Sequence, residues 1–384
     1  MRFLSSILFV ALLMAAMTAS AASFGPELPL TPASPNGSGQ ELPYLSMPQN
    51  GTVLLWNGGA TYAGRIDGRE PIPPERALAL DPVPHRDGGV VSIGNESMAA
   101  WVENDWLYVR RIGSDGSAVA DNFLLQSVDS RHTMRMAIGA SKSSYLVVWQ
   151  QWNRVLSTML DTQGQAITWQ VLEASGPFPN AVDKVAVASN GTEFLVVWEL
   201  TSDEPWVTPC SLGCPSTNRE VHAIIVGADG MARPETETVL ATSAGMPDVV
   251  WNGSNYLVVW ATLPKGGIAG RQIAPGLASV GPVQTFTTGS DFGPAIVWDG
   301  SSDILAFAQA GATPQELGSL RAIQIESDGS VTPLSPTPVY PAVLPRQYAL
   351  AAAGSRVALA YTNSGRISVR YLTSRPTRRR SVDH

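Results

Sequence analysis

Trp251-Asn252-Gly253-Ser254-Asn255-Tyr256-Leu257-Val258-Val259-Trp260 decides the fold. Asn-Gly is the strongest short-range hairpin sequence, because both turn residues must tolerate positive φ. Tyr256 to Trp260 is a run of apolar, β-branched and aromatic residues without polar alternation, which suits a strand buried on both faces. A buried helix is the competing reading. The run is too short for one, and Pro264, Gly266 and Gly267 close it. The stretch therefore predicts strand, turn, buried strand.

Degraded copies of it recur along the chain. The aromatic that ends each buried run falls at Trp56, Trp101, Trp149, Trp198, Trp260, Phe307 and Tyr361, at spacings of 45, 48, 49, 62, 47 and 54 residues. A turn precedes each run, as at Asn50-Gly51, Asn190-Gly191 and Asp299-Gly300. A second apolar run follows after a loop, as in Tyr62 to Ile66, Leu107 to Ile112 and Ile268 to Ile273. Several of these end in Asp-Gly turns and lead to a weaker outer strand, such as Gln165 to Leu172. Each unit thus holds four strands, and four antiparallel strands repeated every 40–50 residues mark a β-propeller.

The expected fold class is all-β: a seven-bladed β-propeller with four-stranded blades. The last unit runs out after its third strand, since the chain turns polar and basic from Thr373. The extended segment Glu27 to Thr31 is expected to supply the missing outer strand of blade seven and close the ring, leaving no open edge at the seam. Pro71, Pro73, Pro74, Pro234, Pro282, Pro333 and Pro336 fall near predicted outer strands, where one side of the backbone needs no partner. The closing aromatics are expected to pack between adjacent blades.

The units resemble the Asn-Gly-x-x-Tyr-Leu-Val-Val-Trp repeats of secreted bacterial propeller proteins, over most of residues 40–372. The resemblance implies the architecture and leaves activity open, because such repeats occur in proteins of no assigned function. The repeating Gly-His and Trp-Asp pattern of WD40 proteins, and the kelch pattern of paired glycines with spaced Tyr and Trp, are not matched. The sialidase Asp-box and the calcium loops of integrin-type propellers are not matched either, so the Asp-Gly pairs read as hairpin turns.

Residues 1–21 read as a signal peptide: Arg2 is the positive charge, Phe3 to Met17 the apolar region and Ala19-Ser20-Ala21 the small-residue cleavage site. The protein is therefore expected to be secreted or periplasmic, without a membrane span after cleavage. Residues 22–374 form one propeller domain and residues 375–384 a basic tail. Cys210 and Cys214 lie close together in a Pro-rich stretch, and in an exported protein they read as a local disulfide, with free thiols or a metal pair as the alternatives. Without the leader and the tail the chain carries 20 basic and 31 acidic residues, a balance unsuited to nucleic acid.

Strand polarity sorts the loops. The tight turns share one face. The long connections share the other, which is the candidate binding surface. Its aromatic platforms would be Trp106, Trp152 and Trp206, the last in the oversized loop Glu199 to Glu220. Polar residues gather where the innermost strands begin: Arg131, His132, Arg135, Asp183, Lys184, Asp248, Asp291 and Arg346. In a propeller these surround the channel mouth, which is wet and polar whether or not it binds anything. No G-x-S-x-G elbow, P-loop or H-E-x-x-H is present, and the four histidines occupy unrelated repeat positions. No catalytic constellation is apparent and the catalytic residues, if any, stay unassigned; no cofactor or metal is expected. The expectation is a monomeric binding or scaffold protein whose partner is a carbohydrate or another exported protein. The alternative is a carbohydrate-active hydrolase or lyase drawing paired carboxylates from Asp183, Asp248 and Asp291.

Overall fold

The computed structural model describes residues 22–30, 41–58, 60–66, 78–81, 87–103, 106–119, 123–127, 135–151, 154–174, 181–201, 219–264, 266–311, 318–340, 348–363 and 365–373. These form seven antiparallel sheets, one per predicted unit. Blade five shows the plan: an inner strand Ala244–Trp251, a second Tyr256–Thr262, a third Ile268–Ile273 and a short outer strand Gln284–Thr285, hydrogen-bonded in that order. The inner strands of the other blades are Glu41–Ser46, Asp87–Ile93, Met136–Ala140, Ala181–Ser189, Asp291–Trp298 and Tyr348–Ala353. Each touches the inner strand of the next blade, and the seventh touches the first, so the ring is closed around a central channel. The chain is a seven-bladed β-propeller.

The closing segment is longer than Glu27 to Thr31 and comes in two pieces. Ser23 and Phe24 pair with Thr373 and Leu372, and Leu28 and Pro29 pair with Val369 and Ser368, on the third strand of blade seven. The Gly25 and Leu30 N–H groups extend the ladder to Tyr371 and Ile367. Phe24 and Leu30 are buried, which pins the segment by its side chains as well as its backbone. Pro29 has no N–H, which an outermost strand tolerates.

Every apolar cluster spans two neighbouring blades. Trp260 lies with Leu195, Val197, Val221 and Ala223 of blade four, and Trp198 with Leu146, Val148 and Met159 of blade three. The same holds for Trp56, Trp101, Trp149, Phe307 and Tyr361. A buried aromatic removes about 150–250 Å² from water, so at about 25 cal/mol per Å² each contributes roughly 4–6 kcal/mol before entropy is counted.

The Asn-Gly turn corrects the expected hairpin. Trp251 pairs with Tyr256, so the loop holds four residues rather than two. Only Gly253 has positive φ, +89°, and a Cβ there would sit 3.0 Å from the Trp298 ring. Asn252 serves through its side chain instead: Oδ1 accepts the N–H of Asn255 at 2.9 Å and of Ser254 at 3.3 Å. Asn190 and Asp299 cap their loops the same way.

Candidate functional site

The inner strands begin on the face of the long connections and line the channel. A cavity of about 250 Å³ lies there, walled by Tyr44, Lys184 and Asp248 among aliphatic residues such as Val90, Ile138, Val187 and Leu350.

Asp248 stands where blade five meets blade six. Its Oδ1 accepts the N–H of Val249 at 3.0 Å and its Oδ2 that of Ile296 at 2.9 Å. Burial pushes its carboxyl above the usual carboxylate range, against the pull of the Lys184 ammonium and these two N–H groups. Lys184 Nζ lies 3.5 Å from the Pro294 carbonyl of blade six. Tyr348, of blade seven, donates its hydroxyl to the Gly293 carbonyl. Burial and the nearby Asp248 hold that phenol far above its ordinary range.

Asp87 repeats this arrangement on the other side of the channel. Its Oδ1 accepts the Gly88 N–H at 2.9 Å and the Tyr44 hydroxyl, and its Oδ2 accepts the Met136 N–H of blade three at 3.2 Å. Burial raises the Asp87 carboxyl, while Arg135, Tyr44 and the N–H groups oppose the rise. Burial and the Asp87 carboxylate push the Tyr44 phenol well up. Two acidic residues, two basic residues and two phenols therefore gather around the channel.

Of the residues expected here, Lys184 and Asp248 are brought together, and Arg135 lies by Asp87 on the other side of the channel. Asp183 lies in the inner strand of blade four, with its side chain outside the described residues. Asp291 is buried and accepts Gln309 Nε2 at 2.9 Å inside blade six. Trp106 is the first residue of a strand, Trp106–Ile112, rather than part of a loop, and is 38% exposed. Trp152, Trp206, Arg131, His132, Arg346, Cys210, Cys214, the signal segment and the basic tail lie outside the described residues.

Tyr44, Asp87 and Tyr348 were missed from sequence, and so was Glu199. Glu199 is fully buried: Oε1 meets Arg219 Nη1 at 2.6 Å and Oε2 accepts the Met246 N–H at 2.7 Å. It ties the two ends of the longest connection, 202–218, to blade five. Asp87 could have been found by aligning inner strands, since it and Arg135 each sit one residue before the partner of a closing aromatic. Among the described residues no group of three or more acids, histidines and cysteines is arranged to hold a metal.

The chain matches no protein-family model, and no curated protein matches it significantly. Solved structures do match. Puromycin hydrolase aligns at 12% identity over 88% of this chain and 53% of its own, with a TM-score of 0.53. Hydrazine synthase of Kuenenia stuttgartiensis aligns at 13% identity over 88% and 96%, also at 0.53. A protein of unknown function from Dyadobacter fermentans aligns at 10% identity over 92% and 99%, again at 0.53. This chain spans about half the length of puromycin hydrolase, and 45% of a prolyl endopeptidase it also matches. At such identities the likeness is one of fold, and the chain is placed among β-propellers by architecture alone.

Proposed function

We propose that this is an exported propeller that binds a carbohydrate or protein ligand on its long-connection face, at the channel mouth. The observation that carries the reading is the convergence of Tyr44, Lys184 and Asp248, from blades one, four and five, on one partly enclosed cavity. Small-molecule sites combine an apolar wall with a few convergent polar groups in this way. Fold by itself does not assign function. Export follows from the signal-like residues 1–21, and a Cys210–Cys214 disulfide would brace the largest loop on the binding face. No helix among the described residues is long and apolar enough to cross a membrane.

The hydrolase or lyase alternative needs two carboxylates presented to a substrate. Asp248 spends both oxygens on backbone N–H groups, and Asp291 is buried against Gln309. These engagements favour binding. Glycan and peptide arrays probed with the full chain, together with a polysaccharide turnover screen of wild type and the Asp183→Ala, Asp248→Ala and Asp291→Ala variants, test the choice. Retention on an array without turnover supports binding. Turnover that collapses in these variants overturns it.

A further inference from the structure

We infer that the channel mouth takes a single neutral pyranose or furanose ring, an inference that rests on the binding reading above and names its ligand class. The argument starts from one level of the channel. In every blade the residue before the closing aromatic pairs with one inner-strand residue, and going round the ring these are Tyr44, Gly89, Ala137, Ala186, Asp248, Ala295 and Ala349. Five of the seven are Gly or Ala. The two exceptions are the phenol and the carboxylate that wall the cavity, and four of the small residues, Gly89, Ala137, Ala186 and Ala349, wall it too. This level therefore carries little side-chain volume except at Tyr44 and Asp248, although at Gly89 the Ile138 side chain of blade three already takes the place of a Cβ.

Ring order sets the geometry. In a closed ring of seven, blade one lies across the channel from blades four and five. Tyr44, its hydroxyl committed to Asp87, thus lines the side of the cavity opposite Lys184 and Asp248. A guest in that space meets an aromatic and aliphatic wall on one side and a donor–acceptor pair on the other. A sugar ring offers both: C–H surface for the apolar wall, and adjacent hydroxyls that accept from the ammonium and donate to the lone pair each Asp248 oxygen keeps beside its one backbone N–H bond.

Size and charge narrow the class. The cavity is about 250 Å³, below the roughly 300–1,000 Å³ of sites for drug-sized ligands, so it admits one ring and no chain. Lys184 and Asp248 already balance each other. A charged guest would leave one of them uncompensated in a partly buried site, which is costly. A neutral guest disturbs neither. The same chemistry is offered by a free monosaccharide and by the terminal unit of a glycan.

The test titrates the full chain calorimetrically with neutral hexoses and pentoses, their methyl glycosides, the matching uronic acids and short oligosaccharides. The Ala137→Leu and Ala349→Leu variants add side-chain volume at this level, at cavity-lining positions that are only partly buried. A neutral sugar should bind wild type, shift the Tyr44 ring resonances in NMR spectra, and lose about tenfold or more in affinity in the leucine variants. The NMR shift is read on wild type alone, so it stands even if a variant does not fold. Equal binding of methyl glycosides and oligosaccharides would identify a glycan end as the source. Preference for the free sugar would identify a monosaccharide. Sugar binding unchanged in well-folded leucine variants overturns the channel assignment, and uronic acids binding more tightly than neutral sugars overturns the charge argument. A peptide that binds with the same leucine sensitivity, where sugars do not, overturns the ligand class and leaves binding at the mouth intact. No ligand of either class would overturn both readings.

Discussion

The Asp248 carboxylate accepts the Ile296 N–H at 2.9 Å, a bond that crosses from the inner strand of blade five to that of blade six. Asp87 makes the equivalent bond to Met136 between blades two and three. Neither strand pair shares a ladder, so these carboxylates join blades near the channel where backbone bonding does not. Removing an acceptor from a buried N–H costs about 1–3 kcal/mol. Asp248→Ala should therefore lower the unfolding free energy by about that amount in urea titrations, and Asp248→Asn, which keeps one acceptor, by less. A loss below about 0.5 kcal/mol, the size of an ordinary surface change, would show that the carboxylate does not hold the seam.

Trp260 and Trp106 should separate core from surface. Trp260 is buried between blades four and five, and its truncation to Ala should cost about 3–5 kcal/mol. Trp106 is exposed on the long-connection face, and Trp106→Ala should stay within about 0.5 kcal/mol of wild type. Paired thermal and urea unfolding of the two variants checks this. Similar losses in both would mean that Trp106 packs against the described core.

The blades could be read because each repeats one ruler, a turn followed by a short apolar run that ends in a buried aromatic. That ruler works where strands are regular. Four of the seven inner strands are not regular: register shifts lie between Glu41 and Tyr44, Val182 and Val185, Gly245 and Asp248, and Phe292 and Ala295. Each inserts residues just where the polar groups of the mouth sit. Asp248 lies after its bulge and lines the cavity, whereas Asp291 lies before its own and is buried within blade six. Their sequence positions look alike, and the bulge sends them to different places. Tyr44 escaped notice for a related reason, because a tyrosine in an apolar strand reads as core until its level in the ring is known.

Leu30 should act as the latch of the ring. It is buried against blades seven and one, and its N–H bonds to the Ile367 carbonyl. Leu30→Ala should cost about 2–5 kcal/mol, and amide exchange should rise first in Arg366–Thr373, the strand that the closing segment covers. Uniform loss of protection across all blades would instead mean that the ring opens and closes only as a whole.

Asp303 should make the protein more stable in mild acid. It begins the second strand of blade six, four residues before the closing aromatic, where the other blades carry Thr52, Ser97, Tyr145, Phe194, Tyr256 and Val357. Its side chain is 5% exposed, its Oδ1 has no hydrogen-bond partner, and Asn252 Nδ2 reaches Oδ2 only at 3.5 Å. Burial raises its pKa from 3.8 to about 6; the Asn252 bond opposes the rise and the Asp299 carboxylate adds to it. A carboxyl raised on folding binds its proton more tightly in the folded chain. Its contribution is therefore fully present below the unfolded pKa near 4 and is lost as pH rises through about 6. At about 1.4 kcal/mol per pKa unit the span is at most about 3 kcal/mol. Asp303→Asn removes the titration, so the variant should be more stable than wild type at pH 7.5 by about 1–3 kcal/mol, with the difference shrinking toward pH 4. Urea midpoints for both proteins across that range measure it, and a gap that does not change with pH would show that the buried carboxyl is not what titrates.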